Sequence, residues 1–239
     1  MKSYNQKKKE HWEKFNYKKW FIDNRGTFIN ETEKNAVKEL LKKYPNKHFK
    51  KCLDVGIGNG RLIPAYKDKC RKIVGLDISN NLLKEAKKNY HITVKQGDAE
   101  NLPFKDKTFD LIINTRVLQH LKDRKECIEE MFRVAKLDAI IIIMVYNRFS
   151  IYGIKKYFKR LFNPTCMRYG RFDTIFSIKR YLKDPWFEIK KIRGAVMCQP
   201  ELLRKDMTKK QVKLGYKIER LATSRFKYFG GRLVLLLEK

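Results

Sequence analysis

CLDVGIGNGRL, residues 52–62, is the stretch that decides the fold. A short apolar run carrying one acid, Asp54, gives way to glycines at 56, 58 and 60. That pattern reads as a strand turning sharply into a helix over about Arg61–Lys69. Glycine supplies backbone angles that side chains exclude, and it removes Cβ atoms. A ligand can then approach the main chain closely beside a helix N-terminus. The spacing is Gly-x-Gly-x-Gly, not the Gly-x-Gly-x-x-Gly of a dinucleotide site. No Gly-Lys-Ser/Thr follows, which excludes a Walker loop.

Working outward, strands and helices alternate. KIVGLD (72–77) is a strand ending on an acid, and NNLLKEAKKNY (80–90) is a helix with Ser79 as its N-cap. ITVKQGD (92–98) and FDLIINT (109–115) are further strands, and DRKECIEEMFRVAK (123–136) is an amphipathic helix. AIIIIMVYN (139–147) is so continuously apolar that it belongs in the middle of the sheet. The alternation predicts an α/β, Rossmann-like, doubly wound sheet, mostly parallel, with helices on both faces. Three successive strand ends then furnish the glycines, Asp77 and Asp98, at the edge where open α/β sheets bind ligands.

Flanking regions differ in character. Ahead of the core, ETEKNAVKELLKKY (31–44) has apolar residues at 36, 37, 40, 41 and 44, which is helical spacing. After Asn147, FSIYGIKKYFKRLF (149–162) places Ile151, Ile154, Tyr157, Phe158, Leu161 and Phe162 on one face. Lys155, Lys156, Lys159 and Arg160 lie on the other. IFSIKRYLKD and ELLRKDMTKKQVKLGYKIERL read as late helices, WFEIKKIRG as a strand and GRLVLLLEK as the closing strand. The expected organisation is a basic helical N-terminal arm over 1–47, a ligand-binding core over 48–146, and a lid helix with the completion of the same domain over 147–239.

Charge is uneven. Lys and Arg number 56 against 26 Asp and Glu, a formal net charge of +30. Residues 147–239 hold 24 basic and 7 acidic residues, net +17. Such a field attracts nucleic acid, an anionic membrane surface or an acidic substrate, although a lysine-rich composition could create it with no partner in view. The five cysteines, at 52, 70, 127, 166 and 198, form no CxxC pair, so neither a disulfide framework nor a zinc site is expected. The four histidines are scattered, and no metal site is expected. The first residues lack the apolar core of a signal peptide, and no run is long enough to span a bilayer. A cytoplasmic protein is the expectation.

LDVGIGNGRL, GLDIS, GDAENLPF, FDLIINTRVLQHL and EEMFRVAK, in this order and spacing, resemble class I S-adenosylmethionine-dependent methyltransferases. The similarity is to the type 11 domain of small-molecule and ubiquinone-biosynthesis enzymes, strong over about residues 48–146 and weak beyond. It implies a seven-stranded sheet with the last strand antiparallel, and S-adenosyl-L-methionine as cofactor. It also implies roles. Asp54 fixes the loop and engages the methionine amino group. Gly56, Gly58 and Gly60 admit the cofactor to the backbone. Asp77 takes the ribose hydroxyls, Ile78 packs on the adenine, Asp98 accepts from the adenine amino group, and the Ala99 amide faces a ring nitrogen. Asn114 and Thr115 lie near the methionyl part. Against these stand plainer readings: Asp54 as a buried acid tying up loop amides, and Asp77 as a cap on the next helix. The sequence departs from the family at the turn before the fifth strand, where AKLDAII replaces Lys-Pro-Gly-Gly, so altered loop geometry is expected there.

The sulfonium methyl is already electrophilic, so the protein mainly aligns an acceptor atom with it. His120 is the best-placed general base, with a structural histidine as the plainer reading. His11, Tyr4 and Tyr17 on the arm, and Arg25 as a partner for the methionine carboxylate, are weaker candidates. Three readings of the acceptor follow. A small or lipid-like metabolite suits a lid or membrane-peripheral role for helix 150–162. RNA, most naturally transfer RNA, suits the basic excess beside aromatics such as Tyr169, Phe172 and Tyr228. A non-catalytic cofactor-binding partner protein is the third. The metabolite reading is preferred, because no RNA-binding module is present.

Overall fold

The computed structural model describes residues 10–14, 23–162, 171–182, 187–196, 208–226 and 228–238. Its centre is a seven-stranded sheet in the order β3-β2-β1-β4-β5-β7-β6. The strands are β1 (Cys52–Val55), β2 (Ile73–Asp77), β3 (Thr93–Gln96), β4 (Phe109–Thr115), β5 (Ala135–Tyr146), β6 (Glu188–Ala195) and β7 (Arg232–Glu238). Neighbours pair in parallel from β3 through β5, and β7 runs antiparallel to both β5 and β6. The sheet is therefore the expected Rossmann-like one, with the last strand inserted antiparallel.

Side-chain alternation along these strands builds two cores. In β5, Ile141, Ile143 and Val145 join Leu53, Ile112 and Leu235 on one face. Ile140, Ile142 and Met144 join Leu111, Ile113 and Leu236 on the other. A strand buried on both faces has to be apolar at every position, which explains the unbroken run. Each such side chain contributes about 1.5–3 kcal/mol on burial. Helix α3 (Arg124–Val134) covers the first face through Cys127, Ile128 and Met131. Helix α1 (Asn24–Leu41) covers the second through Ala36, Val37 and Leu40. Helix α1 starts earlier than the apolar spacing suggests, because Asp23 caps it by accepting from the Gly26 amide at 2.6 Å. Tyr44 lies beyond its end.

Two details correct the sequence reading, and a third concerns the turn before β5. No α-helix follows the glycine loop. Two 3-10 turns, Ile63–Ala65 and Lys67–Lys69, stand there instead, with Pro64 in the first. Proline lacks the amide that would extend a helix beyond a first turn. Cys52 and Cys70, expected to be unbridged, form a disulfide with 6.2 Å between Cα atoms. Their approach follows from parallel pairing, since β1 pairs with β2 from Cys52↔Ile73 and Cys70 lies just before that register. At AKLDAII, β5 pairs Ala135 with Phe109 and then Ile140 with Leu111. The residues between bulge out of the ladder, leaving Leu137 exposed.

Helix α2 (Asn80–Tyr90) is capped by Ser79, whose hydroxyl accepts from the Leu82 amide at 3.3 Å. The late helices are α4 (Ile151–Phe162), α5 (Ile175–Tyr181) and α6 (Lys209–Arg225). None of the described helices is long and apolar enough to cross a membrane.

Candidate active site

The carboxyl ends of β1, β2 and β4 open into two adjoining cavities. The larger, about 540 Å³, is lined by Gly56, Asp77, Ile78, Asp98 and Ala99 at one end and by Thr115, Arg116 and His120 at the other. The smaller, about 280 Å³, is lined by Asp54, Gly56, Gly58, Asn59 and Arg61, and shares Thr115 and Arg116 with the first.

The loop between them is shaped by glycine. Gly56, Gly58 and Gly60 have φ of 74°, 56° and 81°, in the left-handed region that side chains rarely adopt. A Cβ on Gly56 would stand 2.1 Å from Val117 Cγ2. Gly60 serves packing, because a Cβ there would meet the Tyr90 ring at 2.8 Å, and it lines neither cavity. The Gly56 and Ile57 amides both donate to the Leu76 carbonyl, at 2.7 and 3.0 Å, which ties the loop to the end of β2.

Asp77 is buried and accepts from the Gly58 amide at 2.8 Å and the Ser79 amide at 2.9 Å. Burial raises its pKa, the amides of Ser79, Gly58 and Ile78 oppose that, and the charge of Glu13 adds to it. It is thus not the side-chain cap of α2, a task Ser79 performs. Asp54 is fully enclosed. Tyr66 donates to its Oδ2 at 2.5 Å, while Oδ1 has no hydrogen-bond partner. Burial pushes its carboxyl up to about 7, with the Tyr66 hydrogen bond opposing and Asp77 adding to the rise. Asn59 Oδ1, also on the smaller cavity, is buried and likewise lacks a partner. Two acceptors without donors beside a glycine cradle suit a ligand ammonium, because each loses its hydration without compensation until a donor arrives. Asn114 lines neither cavity: it is wholly buried, with its amide directed at Cys127 Sγ at 4.0 Å.

His120 ends a 3-10 turn, Leu118–His120. The turn is held by Arg124, whose Nε donates to the Leu118 carbonyl at 3.1 Å and whose guanidinium pairs with buried Asp173. His120 Nε2 lies 3.3 Å from Gln119 Nε2, and its ring meets Trp12 edge-on at 4.8 Å. Trp12, in the described segment 10–14, forms part of the wall and roof of the larger cavity. Glu13 fastens that roof by accepting from the Asn80 and Asn81 amides, at 2.8 and 3.2 Å. An anion at the N-terminus of α2 meets free amides and the positive end of the helix dipole. Tyr4, Tyr17 and Tyr169 lie outside the described residues. His11 packs on Trp12 at 5.1 Å. Arg25 pairs with Asp23 at 3.9 Å among the described residues and lines neither cavity.

The arginines at the site are others. Arg61 and Arg116 line the smaller cavity, and both turn to Glu33, at 2.6 and 3.7 Å. Arg232 reaches Glu33 from behind at 2.9 Å and lies 3.9 Å over the Tyr146 ring. Burial opposes the charge on Glu33, but Arg116, Arg61 and Arg232 outweigh it and hold the carboxyl at about 2. Burial likewise acts to raise the Tyr146 phenol, and Arg232 and Arg116 more than offset it, so its pKa falls below the ordinary 10.0. Arg116 sits at φ 59°, a costly angle for a non-glycine residue. Only Arg61, directly after the glycine loop, had a signal in sequence. Glu33 and Arg232 had none.

A seven-stranded sheet with antiparallel β7 and a Gly-x-Gly-x-Gly loop facing two strand-end acids defines a class I methyltransferase. Residues 53–143 match the methyltransferase domain model. The chain is 32% identical over 200 residues to an uncharacterized protein of Methanocaldococcus jannaschii, covering 84% of this chain and 89% of that one. It belongs to the class I S-adenosylmethionine-dependent methyltransferase family, in which S-adenosylmethionine is the methyl donor. A demethylmenaquinone methyltransferase of Desulfitobacterium hafniense is 34% identical over 107 residues, 42% of each chain, so the likeness covers under half of either. A crystal structure titled a possible histamine N-methyltransferase, from Thermotoga maritima, superposes with a TM-score of 0.68 at 23% identity. It covers 93% of this chain and 94% of that one, a likeness of fold.

Proposed function

We propose that the chain transfers a methyl group from S-adenosylmethionine to a small or lipid-like metabolite. The observation that carries this is the roof. Trp12, edge-on to His120, walls the larger cavity that also holds Thr115 and Arg116. A chamber covered by the protein's own arm suits an acceptor that fits inside, rather than a base presented on a polymer. The partial likeness to demethylmenaquinone methyltransferase supports the same reading.

The bound cofactor supplies an electrophilic methyl group. In our reading Asp54 and Asn59 take its ammonium, with Gly56 and Gly58 giving the backbone room. Asp77 takes the ribose hydroxyls; Ile78, Asp98 and Ala99 form the adenine end. Thr115 and Arg116 stand where the two cavities meet, beside the transferring group. Asn114 sets that strand end. His120 receives the acceptor's proton when the nucleophile carries one, and the turn fixed by Arg124 holds it in place.

The test incubates the purified chain with methyl-labelled S-adenosylmethionine and a cell extract, then counts RNA, lipid and small-molecule fractions separately. Label in the lipid or small-molecule fraction, lost in Asp77→Ala and reduced in His120→Ala, is expected. Label confined to RNA overturns the reading.

A further inference from the structure

The helix α4 that the sequence marks as amphipathic does not turn its apolar side to the sheet. Gly153 is its buried residue, and a Cβ there would meet the Asn147 carbonyl oxygen at 2.4 Å, so the first turn is pressed onto the end of β5. Tyr152 faces Tyr146 and Phe172, at 6.5 and 5.6 Å. The opposite side carries Ile151, Ile154, Phe158 and Leu161, between 46% and 62% exposed. Lys155 and Lys159 follow that stripe round the helix, and the helix contains no acid.

Helix α6 repeats the arrangement. Gly215 and Tyr216 pack on Phe28, the two rings 4.9 Å apart. Leu214, Ile218 and Leu221 point away from it, between 43% and 62% exposed. Lys210 and Lys217 border this second stripe, and the helix's one acid, Glu219, is buried. Buried Asn147, just ahead of α4, donates to the Tyr228 and Gly230 carbonyls at 2.6 and 2.8 Å, which seats the loop leaving α6 beside the start of α4. Phe149, Tyr228 and Phe229 are all exposed beside that contact.

Exposed apolar stripes on two helices of a single chain mark an interaction site. Its charge decides the occupant. Apolar residues occupy the centre and lysines the border, the order in which a helix lies at a bilayer interface, with alkyl and ring groups in the acyl boundary and cations at the headgroups. A nucleic-acid surface needs the reverse, cations central and on the phosphates. We infer that α4, α6 and the exposed aromatics Phe149, Tyr228 and Phe229 together form one face that docks on an anionic lipid surface. This goes beyond the acceptor's identity and stands whatever the methyl group lands on.

The test is sedimentation of the full chain with phosphatidylglycerol–phosphatidylcholine vesicles, against phosphatidylcholine alone. Binding to the anionic vesicles about tenfold or more tighter, and weakened by salt, is expected. The double variant Phe158→Glu, Ile218→Glu should lose that preference while its melting temperature holds, because both positions are exposed. A Phe158→Trp variant should shift its emission to the blue on vesicle addition. Equal binding to neutral vesicles overturns the inference, as does vesicle binding that the double variant leaves unchanged. Loss of RNA binding rather than vesicle binding in that variant assigns the face to RNA and overturns it as well.

Discussion

Glu33 of α1 accepts from Arg232 of β7 at 2.9 Å, across 199 residues of chain, and neither side chain reaches solvent to any extent. The same carboxylate holds Arg61 from the glycine loop and lies 3.7 Å from Arg116 beyond β4. One buried anion therefore fastens the N-terminal helix, the glycine loop and the last strand. Removing one partner of such a buried set leaves the others uncompensated, at a cost of about 3–5 kcal/mol. Glu33→Gln should lower the melting temperature by that equivalent at neutral pH. The sign with pH follows from a folded value of about 2 against an ordinary 4.5. Stability from Glu33 is present above 4.5 and lost as pH falls toward 2, so the variant and the parent should converge in acid. A melting temperature unchanged at pH 7 would refute the fastening role.

Asp54 gives the opposite slope. Its folded value of about 7 lies above the ordinary 3.8, so its contribution to stability is fullest below 3.8 and declines as pH rises through 7. Cofactor binding should reverse this, because an ammonium beside Oδ1 favours the carboxylate. Affinity for S-adenosylmethionine, read by calorimetry, should rise about tenfold per pH unit up to about 7 and then level. Proton release should accompany binding in the same range. Asp54→Asn should bind weakly with no such slope, and a pH-independent affinity in the parent would refute the assignment.

The gathering of the glycine loop and the strand-end acids was legible because it is local. Gly56, Asp77 and Asp98 each sit at the end of a strand that periodicity marks, and parallel pairing brings those ends together. The arginine cluster was not legible. Its members belong to three distant elements, and nothing in ETEKNAVKELL separates Glu33 from the solvated glutamates around it. The glycine loop's helix failed for a local reason, Pro64. The disulfide was missed because Cys52 and Cys70 look unrelated until β1 and β2 are laid in register. Amphipathic spacing in 149–162 was read correctly, but spacing alone cannot say which face is inward; Gly153 decides it.

Trp12 tests the roof. Its edge-on contact with His120 is worth about 0.5–1.5 kcal/mol, which converts to at most about a tenfold loss of affinity for whatever lies beneath. Trp12→Ala should weaken S-adenosylmethionine binding by no more than that and leave the melting temperature close to the parent's. Trp12→Phe should restore most of the loss. Binding and turnover both unchanged in Trp12→Ala would mean that the arm does not cover the working site.

Gly56→Ala isolates what the glycine loop does. The new methyl meets Val117 Cγ2 at 2.1 Å, and the residue must hold φ 74°. Valine is stiff at χ1, so it cannot swing away without moving into the cleft it lines. The left-handed angle alone costs about 1–2 kcal/mol. S-adenosylmethionine affinity should therefore fall by more than about tenfold. Pairing the change with Val117→Ala should recover the steric part and leave only the backbone part. The two substitutions should thus be non-additive in a double-mutant cycle read by calorimetry. Strict additivity would place the glycine's role in the backbone angle alone, with no part for its closeness to Val117.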